Sequence, residues 1–305
     1  MQDSQTPYQG IWLALVTPFR NDAIDRPALK RMMAHYRDSG IRGLVVCGST
    51  GEAAALDEAE QLAVLDTVLE EAGGLPVIMG LAGNNQRRVL ARLDTLNQRP
   101  LTGVLVPAPY YIRPSQAGLQ GYFQTVADAS AAPVVLYDIP YRTGVALTAD
   151  TLLRLAEHGN IQAIKDCGGN AQTTRALIED GRLAVLAGED HQIFSTLCLG
   201  GQGAITAAAH IRPDMYVALH RAVAEQRLDA ARRLALALAP MIQLLFAEPN
   251  PGPVKALLAR QGLLVDELRA PMLPASQDLA VQLAAAHDAL DRIAAIDLAR
   301  HMPMP

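Results

Sequence analysis

Residues 133–166 read PVVLYDIPYRTGVALTADTLLRLAEHGNIQAIKD and hold two short aliphatic runs with a helix signal between them. The runs Pro133–Tyr137 and Ile161–Lys165 read as largely apolar segments rather than alternating ones, the pattern of strands buried on both faces. Between them Thr148 can cap a helix that carries Leu152 and Leu155. The stretch is a strand–helix–strand unit of the kind that builds parallel sheets.

The same alternation runs along most of the chain. Other strand-like runs are Trp12–Val16, Gly43–Cys47, Pro76–Gly80, Gly103–Pro107, Leu183–Ala187 and Gly203–Thr206. Helix signals fall between them. Pro27 at a first turn precedes Leu29, Met32, Met33 and Tyr36, and Gly40 ends that stretch. Asp57 and Glu60 form a capping-box pair ahead of Leu62, Leu65 and Leu69, and Ser115 can cap a helix with Leu119, Tyr122, Phe123 and Val126. Eight such units in about 225 residues fit an α/β fold of the (β/α)8 TIM-barrel class. A doubly wound sheet would carry a Gly-rich phosphate loop after its first strand, where this chain reads VTPFRND at 16–22. From about Leu228 the chain reads as helical, with a break at Pro249–Pro253. The expectation is a catalytic barrel over 1–226 and a C-terminal helical region over 227–305.

Composition narrows the function. At 305 residues and 50% hydrophobic content the chain can bury a large core, which excludes intrinsic disorder. A net charge of −5 argues against nucleic acid or an anionic membrane as partner. The greasiest stretch, Leu234–Ala247, is interrupted by Pro240 and Gln243 and falls short of a membrane span. The N-terminal residues show no secretory pattern, and Cys47, Cys167 and Cys198 form no CxxC pair. A reduced, cytoplasmic protein is expected. The seven histidines form no HxH or HxxxH pair, so no metal is expected.

In such a barrel, function gathers at the C-terminal ends of the strands. Those ends carry Gly48-Ser49-Thr50-Gly51-Glu52, Pro109-Tyr110-Tyr111, Tyr137 through Arg142 and Gly144, Lys165-Asp166, and Gly188-Glu189-Asp190. Lys30, Lys165 and Lys255 are the only lysines, so a lysine closing the apolar strand IQAIK stands out. A desolvated amine titrates lower than a hydrated one, and the neutral amine can attack a carbonyl to form a Schiff base. Lys30 falls on the polar side of the first helix; Lys255 can cover apolar surface or form an ion pair. Ser49 and Thr50 form either a tight packing turn or a carboxylate cradle of N–H groups and hydroxyls. Tyr137 and Tyr111 make a proton relay around the lysine plausible. Arg142 is either a surface ion-pair residue or a fork for a second carboxylate.

On GSTGE (48–52), VLYDIPYRTG (135–144), AIKD (163–166), LAGED (186–190) and GGQGAIT (200–206), nearly the whole chain resembles the N-acetylneuraminate lyase superfamily of pyruvate-dependent class I aldolases. VPAPYYIRPSQ (106–116), Arg142 and EPNPGPVKALL (248–258) narrow the resemblance to its dihydrodipicolinate synthase family. The resemblance implies that Lys165 forms an imine with pyruvate and that Tyr137 relays the proton. It implies that Ser49 and Tyr111 complete the relay, with Tyr111 acting in the neighbouring subunit. Thr50 would bind the pyruvate carboxylate, Arg142 the carboxylate of L-aspartate-4-semialdehyde, and Gly188 and Ile205 would line the pyruvate pocket. No separate cofactor is implied, and the assembly would be a homotetramer of two dimers.

Three positions depart from the family pattern: Ser49 for the usual Thr, Asp138 for Asn, and Tyr141 for a small residue. The last two bear on the aldehyde pocket, so a paralogue with the same pyruvate chemistry but another aldehyde or sugar acid is the alternative. A ketoacid-binding relative without turnover is a third reading. In the family, lysine inhibits from a cleft at the dimer interface. Asn84 and Tyr110 match that site, but Glu58 and Gln61 replace histidines and Arg88 replaces the glutamate that would meet the ligand's ammonium. Weak or absent inhibition is expected.

Overall fold

A strand that is apolar on both faces has to be covered on both, and closing the sheet is one way to do it. The computed structural model, which describes residues 7–301, shows eight parallel strands in a closed barrel. They are β1 Gly10–Ala14, β2 Gly43–Val46, β3 Val77–Gly80, β4 Gly103–Pro107, β5 Val134–Asp138, β6 Ile161–Asp166, β7 Ala184–Ala187 and β8 Gly203–Thr206. Each strand pairs with the next in sequence, and β8 closes onto β1 from Gly10↔Gly203 to Leu13↔Thr206. Helices separate the strands along the chain, so the fold is a (β/α)8 barrel.

Two compact units divide the chain. The first takes the chain up to Ala14, Arg42–Gly48 and Gly74–Thr206. The second takes Leu15–Ile41, Ser49–Gly73 and the chain from Ala207 onward.

The first unit contains every barrel strand. Each strand contributes to one interior cluster: Trp12, Val45, Ile78, Leu105, Val135, Ala163, Leu186 and Ile205 are all buried within it. Alternation along a strand makes these the inward positions. Trp12 is fully buried, and a Cβ at Gly43 on the adjoining strand would overlap its ring, so glycine is required there. Removing the indole would cost about 3–5 kcal/mol, the range for emptying a large core site. Among the helices here, Ser115 caps Gln116–Ala129 and Thr148 caps Ala149–Leu155, each hydroxyl accepting an N–H at 3.3 Å, as the sequence predicts.

The second unit is mainly helical, with one short two-stranded sheet, Phe19–Arg20 against Ala23–Ile24. Helix α1 (Arg26–Arg37) begins at Asp25, whose carboxylate accepts the Ala28 N–H at 3.0 Å, and it packs on α2 (Glu58–Glu71). The capping box of α2 is complete: Glu60 N–H donates to Asp57 at 2.8 Å and Asp57 N–H to Glu60 at 3.0 Å. The region that reads as helical from Leu228 forms helices Leu228–Leu245, Gly252–Arg260 and Gln277–His301, broken at the Pro-rich segment. No helix among the described residues is long and apolar enough to cross a membrane.

Strand β1 starts and ends two residues before the run Trp12–Val16 that the apolar pattern predicts. The reason lies in the second unit. Val16 N–H donates to His210 Nε2 at 3.2 Å, so Val16 is bonded to an imidazole and not to a ladder. His210 is fully buried, and its Nδ1 lies 2.7 Å from the Tyr36 hydroxyl, which itself donates to the His210 carbonyl at 3.2 Å. With Nε2 accepting, the proton of the neutral ring sits on Nδ1.

Candidate active site

The inward face of β6 carries Ala163 and then Lys165. Strand register sets Lys165 opposite Tyr137 on β5. Both are 6% exposed, and Lys165 Nζ lies 4.7 Å from the centre of the Tyr137 ring. At this distance the face of the phenol ring lies against the lysine head group.

Three further residues belong to the surroundings of this pair. Cys167 lies two positions beyond Lys165 and is buried. Burial pushes its thiol well up, and although Lys165 works against this, Glu189 adds to it through charge and a hydrogen bond. A buried thiol held in its protonated form is a weak nucleophile. Gly188 follows β7, with its N–H bonded to the Asp166 carbonyl at 2.8 Å. A Cβ there would overlap Cys167 Sγ and come within 2.9 Å of Lys165 Cγ. The missing side chain at Gly188 is what lets the lysine stem pass. Ile205 on β8 is fully buried in the same interior cluster as Tyr137.

The outward partners of this pair hold the loops. Asp138 and Asp166 face each other in register on β5 and β6. Asp138 Oδ1 accepts the Leu147 N–H at 3.1 Å; Asp166 accepts Thr174 Oγ1 at 2.5 Å and the Gly168 N–H at 2.9 Å. Burial pushes the Asp138 carboxyl up to about 6, its bond from Leu147 pulls it down, and Asp166 pushes it further up. Asp138 thus serves the connection after β5. At the β8 end Thr206 donates to Asp190, tying β8 to the segment after β7.

Arg142 lies in the one-turn helix Pro140–Thr143, which Gly144 ends at a φ of +77°. Its guanidinium is exposed and lies 5.8 Å from the centre of the Tyr141 ring. The Tyr141 hydroxyl donates to Glu189 at 3.1 Å, linking the segments after β5 and β7. Tyr111 sits at a φ of +73° in the connection after β4 and is 87% exposed. It is not brought to Lys165 within one chain. Its neighbours Tyr110 and Ile112 are also exposed.

Ser49 and Thr50 belong to the second unit, in the turn that follows β2. Glu52 N–H closes the turn on the Ser49 carbonyl at 3.2 Å, and Thr17 Oγ1 donates to the Gly51 carbonyl at 2.7 Å. Thr50 is 4% exposed and Ser49 is half-buried. Asn250 Nδ2 donates to Thr50 Oγ1 at 2.9 Å. Glu52 forms a buried ion pair with Lys255, whose Nζ also donates to the Glu267 carbonyl at 2.8 Å and lies 4.4 Å from the centre of the Phe19 ring. Burial pulls the Lys255 ammonium down, against the pull of Glu52. Sequence reading weighs Lys255 only as a cover or an ion-pair residue and overlooks Glu52 and Asn250. The scarcity of lysine is a signal for Lys255 alone; nothing local in the sequence marks Glu52 or Asn250. Among the described residues no group of three or more His, Cys, Asp or Glu side chains is placed to hold a metal ion.

The family model described as "Dihydrodipicolinate synthetase family" matches residues 7–290. The chain is 35% identical over 279 residues to 4-hydroxy-tetrahydrodipicolinate synthase 2 of Clostridium acetobutylicum, covering 90% of this chain and 98% of the relative. It is 39% identical over 270 residues to 4-hydroxy-tetrahydrodipicolinate synthase of Pelobacter propionicus, covering 88% and 93%. The crystal structure of dihydrodipicolinate synthase from Aquifex aeolicus superposes with a TM-score of 0.90 at 31% identity, over 93% of this chain and 98% of that one.

Proposed function

This chain belongs to the dihydrodipicolinate synthetase family, and from that premise we propose that it condenses pyruvate with L-aspartate-4-semialdehyde to 4-hydroxy-tetrahydrodipicolinate, in lysine and diaminopimelate biosynthesis. It is an enzyme of the lyase class. The observation that carries the reading is the buried pair of Lys165 and Tyr137, an amine set against a phenol inside the barrel.

The neutral Lys165 amine attacks C2 of pyruvate, and the carbinolamine expels water as Tyr137 hands a proton to the leaving hydroxyl. Loss of a C3 proton from the iminium gives an enamine. The enamine carbon attacks the aldehyde carbon of the semialdehyde, whose oxygen takes up a proton; the semialdehyde's own amine then adds to C2, and the Lys165 amine leaves, which closes the ring and frees the enzyme. Thr50 holds the pyruvate carboxylate through its N–H and hydroxyl. Arg142 holds the carboxylate of the second substrate, and its guanidinium, exposed beside the Tyr141 ring, supports that reading. Gly188 and Ile205 line the pyruvate pocket. Ser49 and Tyr111 complete the proton route to solvent, with Tyr111 reaching into a neighbouring subunit, which its exposure in the single chain supports. The assembly is a homotetramer built from two such dimers, and the protein is cytoplasmic. The covalent imine replaces any external cofactor or metal. The barrel spans 1–226 and the helical region 227–305 forms a C-terminal extension.

The Tyr141–Glu189 hydrogen bond favours a second reading, in which the same pyruvate chemistry serves a hydroxylated aldehyde. Steady-state assay with pyruvate and a panel of aldehydes separates the two. The proposal expects the highest kcat/KM with L-aspartate-4-semialdehyde, and a tenfold preference for a sugar-derived aldehyde overturns it.

A further inference from the structure

Two contacts, offset by only a few residues, join the Ser49–Glu52 turn to the Pro-rich segment before helix Gly252–Arg260. Asn250 bonds Thr50, and Lys255 pairs with Glu52. The second contact is a rigid anchor. Lys255 is 0% exposed and the Glu52 side chain 2% exposed, and Glu52 also accepts the Arg269 N–H at 3.1 Å. Separating such a buried pair leaves an uncompensated charge, so the two backbone segments are held in fixed register. Glu52 adopts a left-handed backbone at φ +53°, which the surroundings have to enforce.

The first contact has a direction. A hydroxyl has one proton and two acceptor sites. Thr50 Oγ1 accepts from the Asn250 amide at 2.9 Å. Its own proton is therefore directed away from Asn250 and is available to an acceptor elsewhere. A free threonine hydroxyl would choose among rotamers; this one is preset as a donor before any ligand arrives. Asn250 Oδ1 is buried without a hydrogen-bond partner, so the Nδ2 bond to Thr50 is the polar contact that places this side chain.

We propose that Asn250 is a positioning residue that presets the Thr50 hydroxyl as a donor to the ketoacid carboxylate, in a segment fixed by the Lys255–Glu52 pair. The inference rests on the reading of Thr50 as carboxylate ligand. It assigns the C-terminal segment a part in substrate binding through a side chain that need not touch the substrate.

Borohydride trapping with pyruvate as the only ligand tests it, because the pyruvate concentration for half-maximal trapping needs no aldehyde. Thr50→Val comes first: a rise in that concentration upholds the role of Thr50, and no change refutes that role separately. Asn250→Ala is expected to raise half-saturation about tenfold, the equivalent of roughly 1.4 kcal/mol for one lost bond. In a Thr50→Val background it is expected to add less than twofold, because both changes remove one interaction. Asn250→Asp keeps the side-chain volume, so it serves if the alanine variant does not fold. Its carboxylate can only accept, so it turns the threonine proton inward. Half-saturation should rise at pH 8 and recover as the introduced carboxyl is protonated. If Thr50→Val raises half-saturation but Asn250→Ala leaves it within twofold, the proposal is overturned. Two effects that multiply in the double variant overturn it as well, since they mark a general structural loss.

Discussion

Replacing Asp138 by Asn should stabilise this protein at neutral pH. In the folded chain burial raises the Asp138 carboxyl from 3.8 to about 6. A group raised by folding contributes its full stability below the unfolded pKa and loses it as pH rises through the folded one. The loss therefore accrues between about pH 4 and pH 6 and stays constant above. A shift of about 2 units corresponds to roughly 3 kcal/mol at pH 8, and about half of that is already incurred at pH 5. Asn carries no charge to desolvate and retains the oxygen that accepts the Leu147 N–H at 3.1 Å. Its amide protons face Asp166, replacing carboxylate repulsion with a donor. The expected gain over the parent protein is about 3 kcal/mol at pH 8, falling by about 1.4 kcal/mol at pH 5. Denaturant unfolding of both proteins at pH 5, 6.5 and 8 measures the difference. A variant that is less stable at pH 8, or whose advantage grows on acidification, would refute the reasoning.

Gly188→Ala should cut turnover by about 10²-fold or more, because the added methyl competes with Lys165 Cγ and Cys167 Sγ and a misplaced nucleophile is costly; activity within threefold of the parent would contradict the stated clash. Tyr111→Phe should lower kcat by about 10²-fold, the scale of one acid–base group. Mixing it with Lys165→Ala subunits under conditions of subunit exchange should recover activity, and no recovery would place Tyr111 within its own chain. L-Lysine should inhibit only weakly, because Arg88 repels the ligand's ammonium and about 1.4 kcal/mol already costs tenfold in affinity. Half-inhibition below 1 mM would show that Arg88 is misread.

Most of the barrel is legible from short-range pattern. Continuous apolar runs locate the strands, and Asp57–Glu60, Ser115 and Thr148 locate three helix starts that the structure reproduces. Strand ends are set by tertiary partners, as with Val16 and the His210 ring, and no local pattern encodes a bond across 194 residues. Lys165 and Tyr137 are legible because strand register alone brings them together. Glu52 and Asn250 are not, since their roles depend on partners about 200 residues away. Tyr111 is picked out by its place at a strand end, but its reach into a neighbouring subunit is implied by resemblance alone; in one chain it is an exposed tyrosine.

The central claim is that Lys165 is the nucleophile, and covalent trapping tests it directly. Borohydride added with pyruvate should inactivate the protein irreversibly, leave one reduced pyruvyl adduct per chain, and place it by peptide mapping on Lys165. EDTA should change neither the rate nor the site of trapping. An adduct on Lys255 or Lys30, or full activity after borohydride with saturating pyruvate, would contradict the account.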